Sequence, residues 1–153
     1  MDIRYAVITV LSGMAGTLGF SILFRSNKSR MLCNTLGGAL TCVMYVICCE
    51  IFEMEFFQNM LPALVATAYA EIMARVVKAP ATPILACSII SLVPGGKLYY
   101  TTYHFVMGNM DLFNETLIDT LKIAAGLAAG IICISVVVHE YNRHKFRKIF
   151  EVD

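Results

Sequence analysis

Residues 5–24, YAVITVLSGMAGTLGFSILF, contain no charged side chain. As an α-helix rising about 1.5 Å per residue, this stretch reaches about 30 Å, the thickness of a bilayer's hydrocarbon core. A cleaved secretory signal would place its basic residues ahead of a shorter apolar run of about 7–15 residues. Here the basic cluster of Arg25, Lys28 and Arg30 follows the run. The segment therefore reads as a membrane span.

The rest of the chain has the same character. Of 153 residues, 58% are hydrophobic and 15% charged, with a mean hydropathy of +0.71, against about 25% charged in a soluble domain. A net charge of +1 supplies no bulk field for nucleic acid, so no nucleic-acid partner is expected. Further spans are predicted at 31–49, at 56–74, from Pro80 or Pro83 onward, and at 117–138. The connections between them alternate: Arg25, Lys28 and Arg30; then Glu50, Glu53 and Glu55; then Arg75 and Lys78; then Asp111 and Glu115; then a basic tail. Lys and Arg are retained on the cytoplasmic side, while acids count for little. The predicted fold is an all-α, polytopic transmembrane helix bundle of about five spans, N-terminus out and C-terminus in. It divides into a transmembrane domain, 1–138, and a basic cytoplasmic tail, 139–153. Five helices hide few faces from lipid, which points to a partner or to self-association.

In lipid, helices associate through small residues that let backbones approach. The first span carries Ser12, Gly13, Ala15, Gly16 and Gly19, and the last carries Ala124, Ala125, Gly126, Ala128, Ala129 and Gly130. Packing within the chain is expected of both. Asn34, Thr35, Gly37, Gly38 and Thr41 form a polar and small strip on the second span that should face the interior. Glu71 precedes Arg75 by one turn, the spacing of an ion pair, and as an intramembrane carboxylate it is also a candidate for proton coupling. Asp119 and Lys122 read as boundary residues. The six cysteines, Cys33, Cys42, Cys48, Cys49, Cys87 and Cys133, lie in apolar stretches without CxxC pairs or histidine partners. They read as small hydrophobes, with no metal or other cofactor implied. No soluble-enzyme motif is present, so catalysis is not expected.

The fourth apolar stretch is broken by Val93-Pro94-Gly95-Gly96. Proline removes a backbone donor and clashes with the preceding turn, and paired glycines open dihedrals closed to other residues. Two geometries satisfy this. Either 83–93 and 97–108 are half-helices of one discontinuous span, or 79–96 is a complete span with the Tyr-rich segment 97–105 lying at the outer interface. In the first, the second half-helix aims its free N–H groups at an anion. Lys97, Tyr100, Thr101, His104 and Gly108 then follow on one polar face, and His104 could carry a proton.

The run Glu71-Ile72-Met73-Ala74-Arg75-Val76-Val77-Lys78-Ala79-Pro80-Ala81-Thr82, with Leu92-Val93-Pro94-Gly95-Gly96-Lys97-Leu98-Tyr99-Tyr100-Thr101, resembles the threonine/serine exporter family. The likeness is to its C-terminal half, which many bacteria make as a separate small subunit. The resemblance implies a multi-pass transporter subunit of the bacterial inner membrane. Its cargo would be small carboxylated metabolites: threonine and serine, or a dicarboxylate such as succinate. It also implies a larger membrane subunit as partner, and a substrate site around Pro94, Gly95, Gly96, Lys97, Tyr100, Thr101 and His104. Ser91 stands where the family favours proline and Lys97 where a small residue is usual, departures that bear on substrate identity. The rival reading is a non-transporting membrane scaffold in which the break merely ends a span.

Overall fold

The structure, a computed structural model, describes residues 3–150, with side chains to residue 144. Six α-helices follow in order: α1 (Ile3–Leu23), α2 (Lys28–Ile51), α3 (Glu55–Val76), α4 (Ala81–Ile89), α5 (Gly95–Val106) and α6 (Met110–Phe150). A 3-10 turn, Ile90–Leu92, prolongs α4. No strand occurs among the described residues, so the expected helical bundle holds. The helix α6 runs without interruption through the expected start of the tail at 139. The side chains of the tail's Lys145, Arg147 and Lys148 lie outside the described residues, as do residues 151–153.

Three helices are long and apolar enough to cross a bilayer: α1, α2 and α6 between Met110 and His144. The segments Ala81–Leu92 and Gly95–Val106 make a fourth if taken together, although they are bent by 58°. The third expected span, α3, falls short because Gln58, Asn59, Glu71 and Arg75 interrupt it. It can carry them because it sits centrally, packed on α2, α4 and α6. Little of its surface is exposed, and Asn59, Pro62, Ala63, Ala66, Thr67, Ala70 and Ala74 are buried.

Contact between helices is contact between backbones. A Cβ placed on Gly126 would strike the Phe56 carbonyl, and one on Gly130 would strike the Met60 carbonyl and lie 2.8 Å from Ala63 Cβ. The Gly126-x-x-x-Gly130 pair is thus the seam between α6 and α3. The strip on α2 faces inward as expected. Asn34, Gly37, Gly38 and Thr41 are buried, with Gly37 against Ser88 and Tyr69 and Gly38 against Thr17. On α1 the expectation holds only for Gly13. The buried residues there are Gly13, Thr17 and Ser21, whereas Ser12, Ala15, Gly16 and Gly19 are exposed.

Three helices end in the same hydrogen-bonded closure, in which one residue turns left-handed. After α5 that residue is Gly108 (φ 74°), with Asn109 N donating to His104 O at 3.0 Å and Gly108 N to Phe105 O at 3.1 Å. After α1 it is Arg25 (φ 50°), with Ser26 N donating to Ser21 O at 3.1 Å and Arg25 N to Ile22 O at 2.9 Å. After α3 it is Lys78 (φ 49°), with Ala79 N donating to Ala74 O at 2.9 Å.

Replacing Gly126 or Gly130 by leucine is expected to destabilise the protein by about 1–3 kcal/mol or more through overpacking. Gly16→Leu, where an added Cβ meets nothing within 4 Å, should leave stability unchanged. Thermal unfolding in detergent reads both; equal melting temperatures for all three would contradict this packing.

Candidate functional site

The break is made by proline rather than by glycine. Pro94 (φ −76°, ψ 54°) centres an inverse γ-turn, closed by Gly95 N donating to Val93 O at 2.7 Å. The expected use of glycine dihedrals is not found: Gly108 is the glycine with positive φ among the described residues. Gly95 and Gly96 instead open α5, two residues earlier than expected, and an added Cβ on either meets nothing within 4 Å. Leu98 N returns to Pro94 O at 2.9 Å. The Gly96 and Lys97 amides find no carbonyl, as expected in a first helical turn.

These amides border a cavity of about 250 Å³ whose walls include Pro94, Gly95, Gly96 and Lys97 together with Tyr45, Asn59 and Ile123. Asn59 lies four residues, about 6 Å, inside α3, so the break stands near the Glu55 end of the bundle rather than halfway along it. A second cavity of about 280 Å³, lined by Thr9, Ser12, Gly16, Cys42 and Ile90, shares Tyr45, Ser91 and Leu92 with the first. Cys42 Sγ donates to Ser91 Oγ across it at 3.3 Å. The two adjoin along Tyr45, Ser91 and Leu92, the second between α1, α2 and the end of α4 and the first reaching α3, α5 and α6.

Lys97 is not a free cation. Its Nζ pairs with Glu55 Oε1 and with Asp119 Oδ2 at 3.3 Å, and Lys122 Nζ meets Asp119 Oδ1 at 3.0 Å. All three of Lys97, Glu55 and Asp119 are roughly one-third exposed. Glu55 Oε2 is itself buried with no hydrogen-bond partner. Asn59 Nδ2 donates to the Glu55 carbonyl at 2.8 Å, fixing the first turn of α3 beside the lysine.

The polar face predicted on α5 divides. Lys97 and Thr101 turn inward: Thr101 Oγ1 donates to the Lys97 carbonyl at 2.8 Å, and the Thr101 and Thr120 hydroxyls lie 3.3 Å apart. Tyr100 and His104 do not line the cavity. Tyr100 is exposed and stacks on His104 at 6.5 Å, within a cluster that includes Tyr99 and Tyr103. Glu71 is remote, sixteen residues or about 24 Å along α3 from Glu55. Its expected pair with Arg75 does not form; Arg75 Nη2 donates to Asn142 Oδ1 at 3.3 Å.

Glu55, Asn59, Tyr45 and Asp119 were not expected at the site. A signal existed in the charge order. Lys97 falls on the side of the bundle whose connections carry acids, where an ammonium finds carboxylate partners.

Neither a curated protein nor a solved structure matches the chain. The family model described as Threonine/Serine exporter, ThrE, matches residues 9–137. That span takes in the whole cleft, the Pro94 turn and the Lys97 cluster. The chain belongs to the threonine/serine exporter family of membrane transporters.

Proposed function

We propose that the chain is one subunit of an exporter whose substrate is a small amino acid, threonine or serine, bound at the Pro94 turn. The observation that carries this is a cavity walled by Gly96 and Lys97, whose lysine is paired with two carboxylates of neighbouring helices. The Gly96 and Lys97 amides and the Lys97 ammonium offer donors to a carboxylate. Glu55 and Asp119, both held on the lysine that lines the cavity, would serve as acceptors for an α-ammonium group that took the place of Lys97 Nζ. A zwitterion matches both halves, whereas a dicarboxylate such as succinate meets the two acids as like charges. Thr101, packed on Thr120, holds Lys97 from behind. Tyr100 and His104 act as an aromatic rim, and His104 and Glu71 are left without a part in binding.

The reading includes a larger partner subunit of the same family. The polar cleft opens on the face of α1 that carries Ser12, Ala15, Gly16 and Gly19, all exposed. Hydroxyls and bare backbone are poorly served by lipid, and small residues are the usual seam for another helix. A helix of the larger subunit laid there would close the cleft into a path; a second copy of this chain is the alternative occupant. The arrangement proposed is five crossings of the bacterial inner membrane, N-terminus out and C-terminus in. It rests on the alternating charges of the connections and on α3 crossing beside α6.

Paired substitutions test the site. Lys97→Met alone leaves Glu55 and Asp119 facing each other, and Glu55→Gln alone leaves Lys97 with one partner. The double variant should be more stable than the sum of the two losses, by about 1 kcal/mol for a partly exposed pair. Its export of threonine, measured in a deletion strain with the larger subunit co-expressed, should nevertheless fall to background. Export at the unaltered rate from a stably inserted double variant would remove the cluster from the path and favour the scaffold reading. Loss of succinate export with threonine export retained would reverse the substrate assignment.

A further inference from the structure

The opposite, basic end of the bundle carries a second constructed pocket. It holds about 100 Å³ and is lined by Arg25, Ser26, Arg30 and Asn34 on one side and by Pro80 and Pro83 on the other. Asn34 is 1% exposed; its Nδ2 donates to Ser21 Oγ at 2.8 Å and reaches Ser26 Oγ at 3.4 Å, while its Oδ1 has no partner. An amide flipped end for end keeps both serine contacts, with the hydroxyls donating, and frees Nδ2 as a donor. Helix α4 begins at this pocket with Pro80 as its cap residue, and Pro80 and Pro83, which carry no N–H, form a rigid wall facing the arginines. Among the described residues neither arginine has a carboxylate partner, and no carboxylate lines the pocket.

Arg25, one of the two pocket cations, sits at a left-handed position. Arg25 and Lys78 occupy the left-handed position that Gly108 fills at the other end, and a residue with a Cβ is strained there. Two basic side chains are thus kept at one end of the bundle where glycine would be favoured locally.

Beyond the pocket, an apolar groove of about 320 Å³ runs on along α4, lined by Thr82 and Ala86 and sharing Phe24 and Pro83 with it. A pocket of hydrogen-bond donors leading into an apolar groove at the edge of the membrane fits one molecule with an anionic head and an aliphatic chain. We infer that this is a binding site for a single anionic phospholipid. Its phosphate would lie between Arg25, Arg30 and Asn34, and one acyl chain along Phe24, Pro83 and Ala86. Basic pockets between helices on the cytoplasmic side hold lipid headgroups by the same chemistry. The site is separate from the Lys97 cluster and does not depend on the transport reading.

The test is native mass spectrometry of the full-length protein in detergent, supplied with equal amounts of phosphatidylglycerol and phosphatidylcholine. The unaltered chain should retain phosphatidylglycerol in preference. Arg25→Gly and Arg30→Gln should each reduce that preference roughly fivefold. Arg25→Gly should hold or raise the melting temperature, because glycine adopts the left-handed turn freely, so lost lipid cannot be laid to lost fold. Ala86→Trp, which fills the groove and touches no charge, should lower retention of both lipids. An undiminished preference in the Arg25→Gly/Arg30→Gln double variant would overturn the proposal. So would displacement of phosphatidylglycerol by inorganic phosphate or by threonine, which would make this a site for a free oxyanion.

Discussion

Helices in a bilayer gain nothing from hiding apolar side chains from water, so backbone contact has to hold them together. Here that contact is made where Gly126 and Gly130 admit the carbonyls of Phe56 and Met60, and where Gly37 and Gly38 admit Ser88 and Thr17. The first seam fixes the register of α6 on α3, which leaves Asp119 beyond the start of α3, where it and Glu55 reach the same lysine. The second fixes α2 against α1 and α4, which brings Tyr45 and Cys42 up to Ser91. Both registers converge on the Pro94 turn. The site is the place where two sets of glycine contacts leave a gap.

Charge placement follows from the same geometry. A lysine at the mouth of a helix in poorly hydrated surroundings is costly unless paired, and Glu55 and Asp119 pair it from two different helices. The cluster is nearly balanced, so an amino acid would exchange its own two charges for those already present and bring no net charge into the membrane. The surplus of positive charge lies at the other end, in Arg25 and Lys78 on left-handed turns and in Lys28 and Arg30 at the start of α2.

Much of the fold could be read from the sequence because span length, charge order and small-residue spacing act locally. Four of the five apolar stretches each became one helix and the broken one became α4 and α5, Asn34 and Gly37 faced inward, and Gly126-x-x-x-Gly130 became a seam. The Pro94 break was equally legible, since proline interrupts a helix in any surroundings. The tertiary partners were not. Lys97 and Glu55 are 42 residues apart, and nothing in either local pattern says that the lysine is already neutralised. Arg75 passes over Glu71, one turn away, for Asn142 on α6. The rotation of α5 was also hidden: it centres Lys97 and Thr101 on the protein side and leaves Tyr100, at the margin of the same face, exposed. The glycines of the break were expected for their dihedrals, yet they leave bare amides beside a cavity.

Site-directed cysteine labelling decides most directly whether the Pro94 turn holds substrate. Single cysteines would be placed at Ser91, Gly96, Tyr100 and Tyr103 in a chain freed of its six native thiols and co-expressed with the proposed larger subunit. Threonine is expected to protect positions 91 and 96, which line the cleft, and to leave positions 100 and 103 on the exposed aromatic rim reactive. Labelling at all four positions that threonine does not alter would contradict a substrate site at the turn.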